Sequence, residues 1–246
     1  MFMESQLRPL VTDGILHDPV LMPEVQHELF EPDYWLARHA ASATAGGRGN
    51  VVFINDTQRQ WVLRHYRRGG LIGKLIADQY LWLGAEATRS FREWRLLAQL
   101  RALELPVPIP VAARYIRNGL SYRADLLTAT IAGACTLMQR LAQAPMPATD
   151  WQRVGQVLAR LHAAGVHHAD LNANNIVFDD QQAVWVLDFD RGRIRTVQKA
   201  WIDTVLARLL RSLNKLHERH GIHFQLDDWQ QLLHAHDVRL SQLLEH

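Results

Sequence analysis

Between Val166 and Gly192 the chain reads VHHADLNANNIVFDDQQAVWVLDFDRG, and this stretch constrains the fold more than any other. Two short apolar runs, Ile176 to Phe178 and Val184 to Leu187, read as strands separated by a polar turn. Before the first strand stand the acceptor side chains of Asp170, Asn172, Asn174 and Asn175; after the second stands Asp188, between Leu187 and Phe189. A polar turn feeding a buried hairpin accounts for ADLN or for DFD taken singly. Both together, at the mouths of two strands, call for a chemical reason.

A chain of 246 residues is long enough for one large domain or two small lobes with a substantial core. With 48% hydrophobic and 21% charged residues it lies far from disordered and collagen-like compositions. A net charge of +2 gives no reason to expect nucleic acid as a partner. Arginine nonetheless dominates the cations and recurs in clusters, at Arg64, Arg67 and Arg68, at Arg89, Arg92 and Arg95, and at Arg191, Arg193 and Arg195. Its rigid fork suits carboxylate and phosphate, although any one cluster reads equally as solvated surface. The single cysteine, Cys135, excludes a disulfide framework within the chain and fits a reducing compartment. There is no basic-plus-apolar leader and no apolar run approaching about 18 residues. The expectation is a cytosolic protein, with contact to a membrane surface left open.

The first 40 residues carry Pro9, Pro19, Pro23 and Pro32 and read as an irregular arm with short helices. Ala45 to Asn50 is a glycine-rich turn before the β-like run Val51 to Ile54, and Trp61 to Tyr66 reads as the next strand. Ile72, Leu75, Ile76, Tyr80 and Leu83 recur at helical spacing, which predicts a helix over 71–83. A second helix fits 87–103 and ends before LPVPIP, whose prolines favour an extended link. Residues 112–115 and 122–130 read as strands. The connector Ile131 to Ala134 then separates a mostly-β part from a mostly-α part. The expected division is an N-terminal arm at 1–40, an N-lobe at 41–131 and a C-lobe at 132–246. Asp150 is expected to cap a helix running to His162, which Gly165 ends. After Val197 the chain reads as helical, with His217, His220, His223, His234 and His236 on solvated faces.

The run from His168 to Asn175 fits H-x-D-L-x-x-x-N, and Asp188-Phe189-Asp190 fits D-F-x; here the chain resembles the protein-kinase-like phosphotransferases. The resemblance implies an α+β, two-lobe fold, with a small mostly-β N-lobe carrying one or two helices and a larger mostly-α C-lobe. It implies ATP and Mg²⁺ as cofactors. Asp170 would accept the proton of the attacking hydroxyl, His168 would brace its loop, and Asn175 and Asp188 would be the metal ligands. A loop ending in Asn175 leads into a hairpin whose return strand delivers Asp188 to the same ion. The competing reading of His167, His168 and Asp170 as a transition-metal site is disfavoured, because adjacent histidines on an extended loop point in different directions.

Gly46, Gly47 and Gly49 read either as an ordinary tight turn or as a flap whose backbone N–H groups approach the phosphates. The kinase resemblance assigns them to the nucleotide, together with Ile131 of the connector. Arg64 stands where the family's strand lysine is expected, with Lys74 as the alternative, and Glu93 is its expected helix partner ahead of Glu86. Ala169 replaces the arginine of H-R-D, Asp190 replaces the glycine of D-F-G, and no A-P-E follows. Those departures argue against a protein substrate and against control by activation-loop phosphorylation.

Longer strings narrow the resemblance. LRHYRRGGL, DQYLW, LPVPIPVAARY, HHADLNANNI and LDFDRGR are similar to the 3-deoxy-D-manno-octulosonic acid (Kdo) kinases of Gram-negative lipopolysaccharide assembly, over roughly residues 30 to 215. That family implies ATP-dependent phosphorylation of the 4-hydroxyl of the Kdo unit on a lipid A precursor. It also implies a cytoplasmic location, peripheral to the inner membrane. Arg67, Arg68, Arg191 and Arg193 are the expected contacts to the acceptor's carboxylate and phosphates. The alternatives are a kinase of the same fold acting on heptose or a small metabolite, a nucleotide-binding pseudokinase scaffold, and a membrane-surface adaptor without catalysis, which would need a stronger amphipathic segment than the sequence shows.

Overall fold

A computed structural model describes residues 11–24, 26–44, 51–67 and 78–245. The chain divides into two compact units. The first comprises the described parts of Met1–Arg95 with Ile109–Thr130; the second comprises Leu96–Pro108 with the described parts of Ile131–His246.

The first unit is an antiparallel sheet of β1 (Val11–His17), β2 (Ala41–Thr44), β3 (Val51–Asn55), β4 (Gln60–His65), β5 (Tyr80–Leu81), β6 (Pro110–Asn118) and β7 (Ser121–Ala129). The strands lie in the order β1-β6-β7-β4-β3-β2, and β5 pairs with β7. Along β4 side chains alternate between the two faces, as the period of a strand requires. Trp61 and Leu63 join Val52, Ile54 and Leu127 in the core on one face.

That core is completed from the N-terminal arm. Met22, Leu29, Phe30 and Trp35 are almost wholly buried in it. Trp35 packs edge-on against Trp61 and donates its indole N–H to the Leu29 carbonyl at 2.9 Å. Each such fully buried side chain is worth roughly 1.5–3 kcal/mol. Two short helical pieces, His27–Phe30 and α1 (Pro32–Leu36), carry these anchors. The expected irregular arm is therefore partly a strand, since β1 adds to the sheet beside β6 from Val11↔Asn118 to His17↔Ala112.

The same face holds a chain of charges. His65 donates to Asp125 at 2.6 Å, Arg114 reaches Asp125 at 2.9 Å, and Arg114 also reaches Glu31 at 2.6 Å. The hydrogen bond to Asp125 raises the His65 pKa against the opposing effect of burial. A further correction concerns the helix expected over 71–83. Residues 71–77 lie outside the described residues, and Tyr80–Leu81 is a strand paired with Tyr122 and Ser121. The unit boundary falls inside α2 (Arg89–Ala102), at Arg95–Leu96.

The second unit contains α3 (Leu137–Gln143), α4 (Ala148–Ala163), α5 (Lys199–His220) and α6 (Leu226–Leu244). It also holds short strands: β8 (Cys135–Thr136), β9 (Val166–His167), β10 (Ile176–Phe178), β11 (Val184–Val186) and β12 (Arg193–Ile194). β10 pairs with β11 and β8, and β9 pairs with β12. Asp150 does not cap α4; Pro147 holds the N-cap position, and Asp150 in the first turn pairs with Arg140 and Arg153. A β-rich unit and a helix-rich unit together make this an α+β fold of the protein-kinase-like, two-lobe class. Among the described residues no helix is long and apolar enough to cross a membrane.

α4 and α6 pack closely, and a glycine makes that possible. A Cβ on Gly155 would lie 2.2 Å from the Leu232 carbonyl oxygen of α6. Nearby, His162 of α4 meets His236 of α6 at 2.8 Å, and His236 in turn donates Nδ1–H to Asp237 at 2.8 Å. His236 is thus buried, not solvated as its helix alone suggests.

Burial, with the neighbouring histidines, pushes the His162 pKa down to about 3. An unfolded chain takes up that proton near pH 6.5. The stability contributed by His162 is therefore complete above about pH 6.5 and is lost as pH falls toward the folded value, about 3 kcal/mol by about pH 4.5. His65 contributes in the opposite sense, below about pH 6.5, and that share is lost as pH rises through its folded pKa. A His162→Gln protein is expected to show a flatter Tm-against-pH curve between about pH 7 and about pH 4.5 than the parent. Parallel curves would remove His162 as the acid-sensitive group.

Candidate active site

β9 delivers the chain into the 168–175 loop, and the loop is held by its own polar atoms. His168 is buried and donates Nε2–H to the Leu187 carbonyl at 2.8 Å, while its Nδ1 accepts the Asp170 backbone N–H at 3.2 Å. Both ring nitrogens are thus engaged by a neutral imidazole, and burial lowers its pKa accordingly. This also disposes of a shared transition metal at HHAD, because His168 has no lone pair left to give. The His167 ring packs against Trp201 in a T-shaped arrangement, with centroids 5.6 Å apart.

The Asp170 carbonyl accepts from Asn172 Nδ2 at 2.8 Å and from Asn175 Nδ2 at 2.9 Å. Asn172 Oδ1 takes the Asn174 N–H at 2.9 Å, which closes a tight turn. The backbone of Asp170 is therefore fixed at both its N–H and its carbonyl, while its carboxylate faces solvent. Arg208 of α5 stands 3.5 Å from that carboxylate.

The β10–β11 hairpin closes through Asp179, whose carboxylate accepts from Gln181 N, Ala183 N and Trp185 Nε1. Its register pairs Ile176 with Val186, and one step further Leu187 N–H donates to the Asn175 carbonyl at 2.7 Å. Asn175 and Asp188 consequently stand at the same end of the hairpin, opposite the Asp179 turn. Asp188 has φ +65°, a left-handed conformation that aspartate tolerates better than most residues. Phe189 is buried with its ring centroid 4.9 Å from that of His168. Because Asn175 Nδ2 is donated to Asp170, its Oδ1 is the atom it can offer a cation. Asn175 Oδ1 and the Asp188 carboxylate are hard oxygen donors, which suit Mg²⁺.

In the first unit, Arg64 lies on the face of β4 opposite Leu63. Its guanidinium pairs with Glu93 of α2, and Tyr66 donates its hydroxyl to the same carboxylate at 2.6 Å. Glu93 is 3% exposed, and a carboxylate so buried needs such partners. Burial, together with the Glu93 charge, pushes the Tyr66 pKa far up, so the phenol stays a donor. Arg64, rather than an aliphatic strand residue, thus occupies the place from which a cation reaches the α2 glutamate.

Of the other expected site residues, Gly46, Gly47, Gly49, Arg68 and the alternative cation Lys74 lie outside the described residues. Arg67, Arg191 and Arg193 are exposed, Arg193 on β12. Ile131 is half-buried and its carbonyl accepts from Ala134 N. Glu86, the second choice for the helix acid, pairs with Arg95 at the surface. Sequence reasoning missed Tyr66 and Arg208. The first could be read from its place two residues after Arg64; the second carries no local signal.

A family model described as the lipopolysaccharide kinase (Kdo/WaaP) family matches residues 33–236. The chain belongs to that family. It is 45% identical over 225 residues to a 3-deoxy-D-manno-octulosonic acid kinase of Stenotrophomonas maltophilia (strain R551-3), covering 92% of this chain and 90% of that one. Proteins of the same name from Vibrio parahaemolyticus serotype O3:K6 and Xylella fastidiosa (strain 9a5c) are 40% and 39% identical, over 90% and 93% of this chain and 92% and 91% of theirs. Membership makes the chain a kinase, an enzyme that moves a phosphoryl group onto an alcohol.

Proposed function

We propose that this kinase transfers the γ-phosphoryl group of ATP to the 4-hydroxyl of the Kdo residue on a lipid A precursor. The 45% identity to a kinase of that name carries the choice of substrate. The pinned Asp170 loop beside the Asn175–Asp188 end of the hairpin supports the chemistry. On this reading residues 41–131 handle the nucleotide and 132–246 supply the catalytic loop and metal ligands.

Asp170 accepts the hydroxyl proton as the sugar oxygen bonds to the γ-phosphorus and the bond to the β,γ-bridging oxygen breaks, leaving ADP. Asn175 Oδ1 and Asp188 would hold Mg²⁺, which would supply neutralisation of phosphate charge. Arg64, oriented by Glu93 and Tyr66, engages the phosphates, as do the backbone amides around Gly46, Gly47 and Gly49; Ile131 contacts the nucleotide. His168 keeps the loop rigid and takes no proton. Arg67, Arg68, Arg191 and Arg193 remain candidates for the acceptor's anionic groups. An acceptor of this kind puts the enzyme at the cytoplasmic face of the inner membrane, as a peripheral protein.

The test is radiolabelled phosphate transfer from ATP to lipid acceptors that differ only in their terminal sugar. Label is expected in the Kdo-bearing acceptor, in the presence of Mg²⁺. Label entering only a heptose-bearing acceptor would favour the related sugar kinase, and none in any acceptor would favour the scaffold. Asp188→Ala is expected to weaken Mg²⁺-dependent ATP binding by calorimetry. Arg64→Lys is more informative than Arg64→Ala, because the alanine strands a buried carboxylate at a cost of about 3–5 kcal/mol.

A further inference from the structure

α5 presents four cations on one exposed face, and that face begins at the Asp170 loop. Arg208, Arg211, Lys215 and Arg219 follow one another at spacings of three, four and four residues, which stacks them along one side of a helix. All four are exposed. The apolar residues of the helix, among them Val205, Leu209 and Leu213, are buried on the other side. Two contacts tie the cationic face to the loop. Arg208 stands 3.5 Å from the Asp170 carboxylate, and Ser212 accepts the Ala173 N–H at 3.3 Å. Among the described residues, Asp170 is the only acid in ion-pairing range of the four. The nearby Asp203 is held by Lys199 at 2.7 Å. Exposed Glu218 is the one acid of α5 beside this row, so four cations are set against a single carboxylate on the helix, and the excess positive charge favours an anion lying along it.

From the substrate reading above, we infer that this face is an anion-binding site for the acceptor, beside the arginines named there: it holds phosphate groups of the glycolipid whose hydroxyl reacts at Asp170. Arg208 to Arg219 spans about 16 Å of helix. A neutral sugar or a small metabolite offers nothing to such a ladder. A glycolipid with its reacting hydroxyl at one end and phosphates further along offers anionic groups along the same line. Guanidinium forks bind phosphate through paired, charge-assisted hydrogen bonds. An anionic bilayer is the weaker occupant, because surface-binding helices bury an apolar face beside their cations, and the apolar face of α5 is already used inside the unit.

The experiment uses the full chain and a triple variant, Arg211→Gln/Lys215→Gln/Arg219→Gln. Each is assayed at saturating ATP and Mg²⁺ on detergent-dispersed Kdo-bearing lipid A precursor and on the same acceptor after removal of its phosphates. Flotation with phosphatidylglycerol vesicles runs alongside, and circular dichroism checks the fold. The parent is expected to show a KM for the dephosphorylated acceptor about 30-fold above that for the phosphorylated one. In the variant that gap should close, because KM for the phosphorylated acceptor rises; the loss falls on KM rather than on kcat. A variant that keeps the gap overturns the inference. So does one that keeps it while losing vesicle binding, which would assign the stripe to the bilayer. A parent that phosphorylates neither acceptor overturns the substrate reading itself, and the inference with it; a parent that works on both while the variant keeps the gap overturns the inference alone.

Discussion

Asp170→Asn is expected to lower turnover by about a thousandfold, the usual scale of a lost general base. ATP affinity should stay within about twofold, since the substitution touches no group assigned to the nucleotide. The loop geometry makes this substitution clean. Asp170 is positioned through its backbone, by the N–H bond to His168 and the carbonyl bonds from Asn172 and Asn175, and asparagine keeps all three. Its side chain is nearly isosteric and exposed, so neither a cavity nor a buried unpaired group results. Proton acceptance is removed, together with the negative charge that faces Arg208. Steady-state turnover with a Kdo-bearing acceptor, paired with calorimetric ATP titration, checks it. Turnover retained within about tenfold would take Asp170 out of the role of base.

The second large effect is on stability. Gly155→Ala is expected to cost about 3 kcal/mol or more and to lower Tm by roughly 10 °C. The added methyl group would sit 2.2 Å from the Leu232 carbonyl oxygen, and it would also meet His236 N at 3.0 Å. Both are backbone atoms of α6, so relief requires moving the helix rather than turning a side chain. Gly221→Ala is the control. Gly221 also lacks room in conformational terms, with φ +62°, but nothing lies within 4 Å of a Cβ there. Its cost should be only the backbone term, about 1 kcal/mol. Thermal melts of the two variants separate helix packing from backbone preference. Equal shifts would mean that the α4–α6 contact tolerates the methyl group.

What could be read from the sequence was local. The β10–β11 hairpin, the helix at 89–102 and the strand carrying Arg64 each announce themselves within a dozen residues, through β-branched runs, helical spacing and stop signals. Their functional groups come along with the register. β1 was not legible, because VTDGILH carries threonine, aspartate and glycine and gains its strand form from pairing with β6 far along the chain. Tyr80 and Leu81 satisfy a helical spacing, yet their partners are Tyr122 and Ser121, which no local window contains. His236 looks solvated beside Asp237 and Arg239; its burial is decided by His162 on another helix. Arg208 likewise gains its meaning only when α5 lies beside the 168–175 loop. Local chemistry fixes elements, whereas burial and pairing depend on contacts that a sequence window does not hold.

The N-terminal arm has a consequence for β4. Leu63 and His65 are held on the side that the arm covers, through the Trp35 core and the Asp125–Arg114–Glu31 charges, whereas Arg64 between them faces Glu93. The arm thus grips the residues immediately before and after Arg64. It works as a splint. A chain trimmed before Trp35 loses Met22, Leu29 and Phe30 from the core under this strand, and is expected to melt at a lower temperature than the full chain.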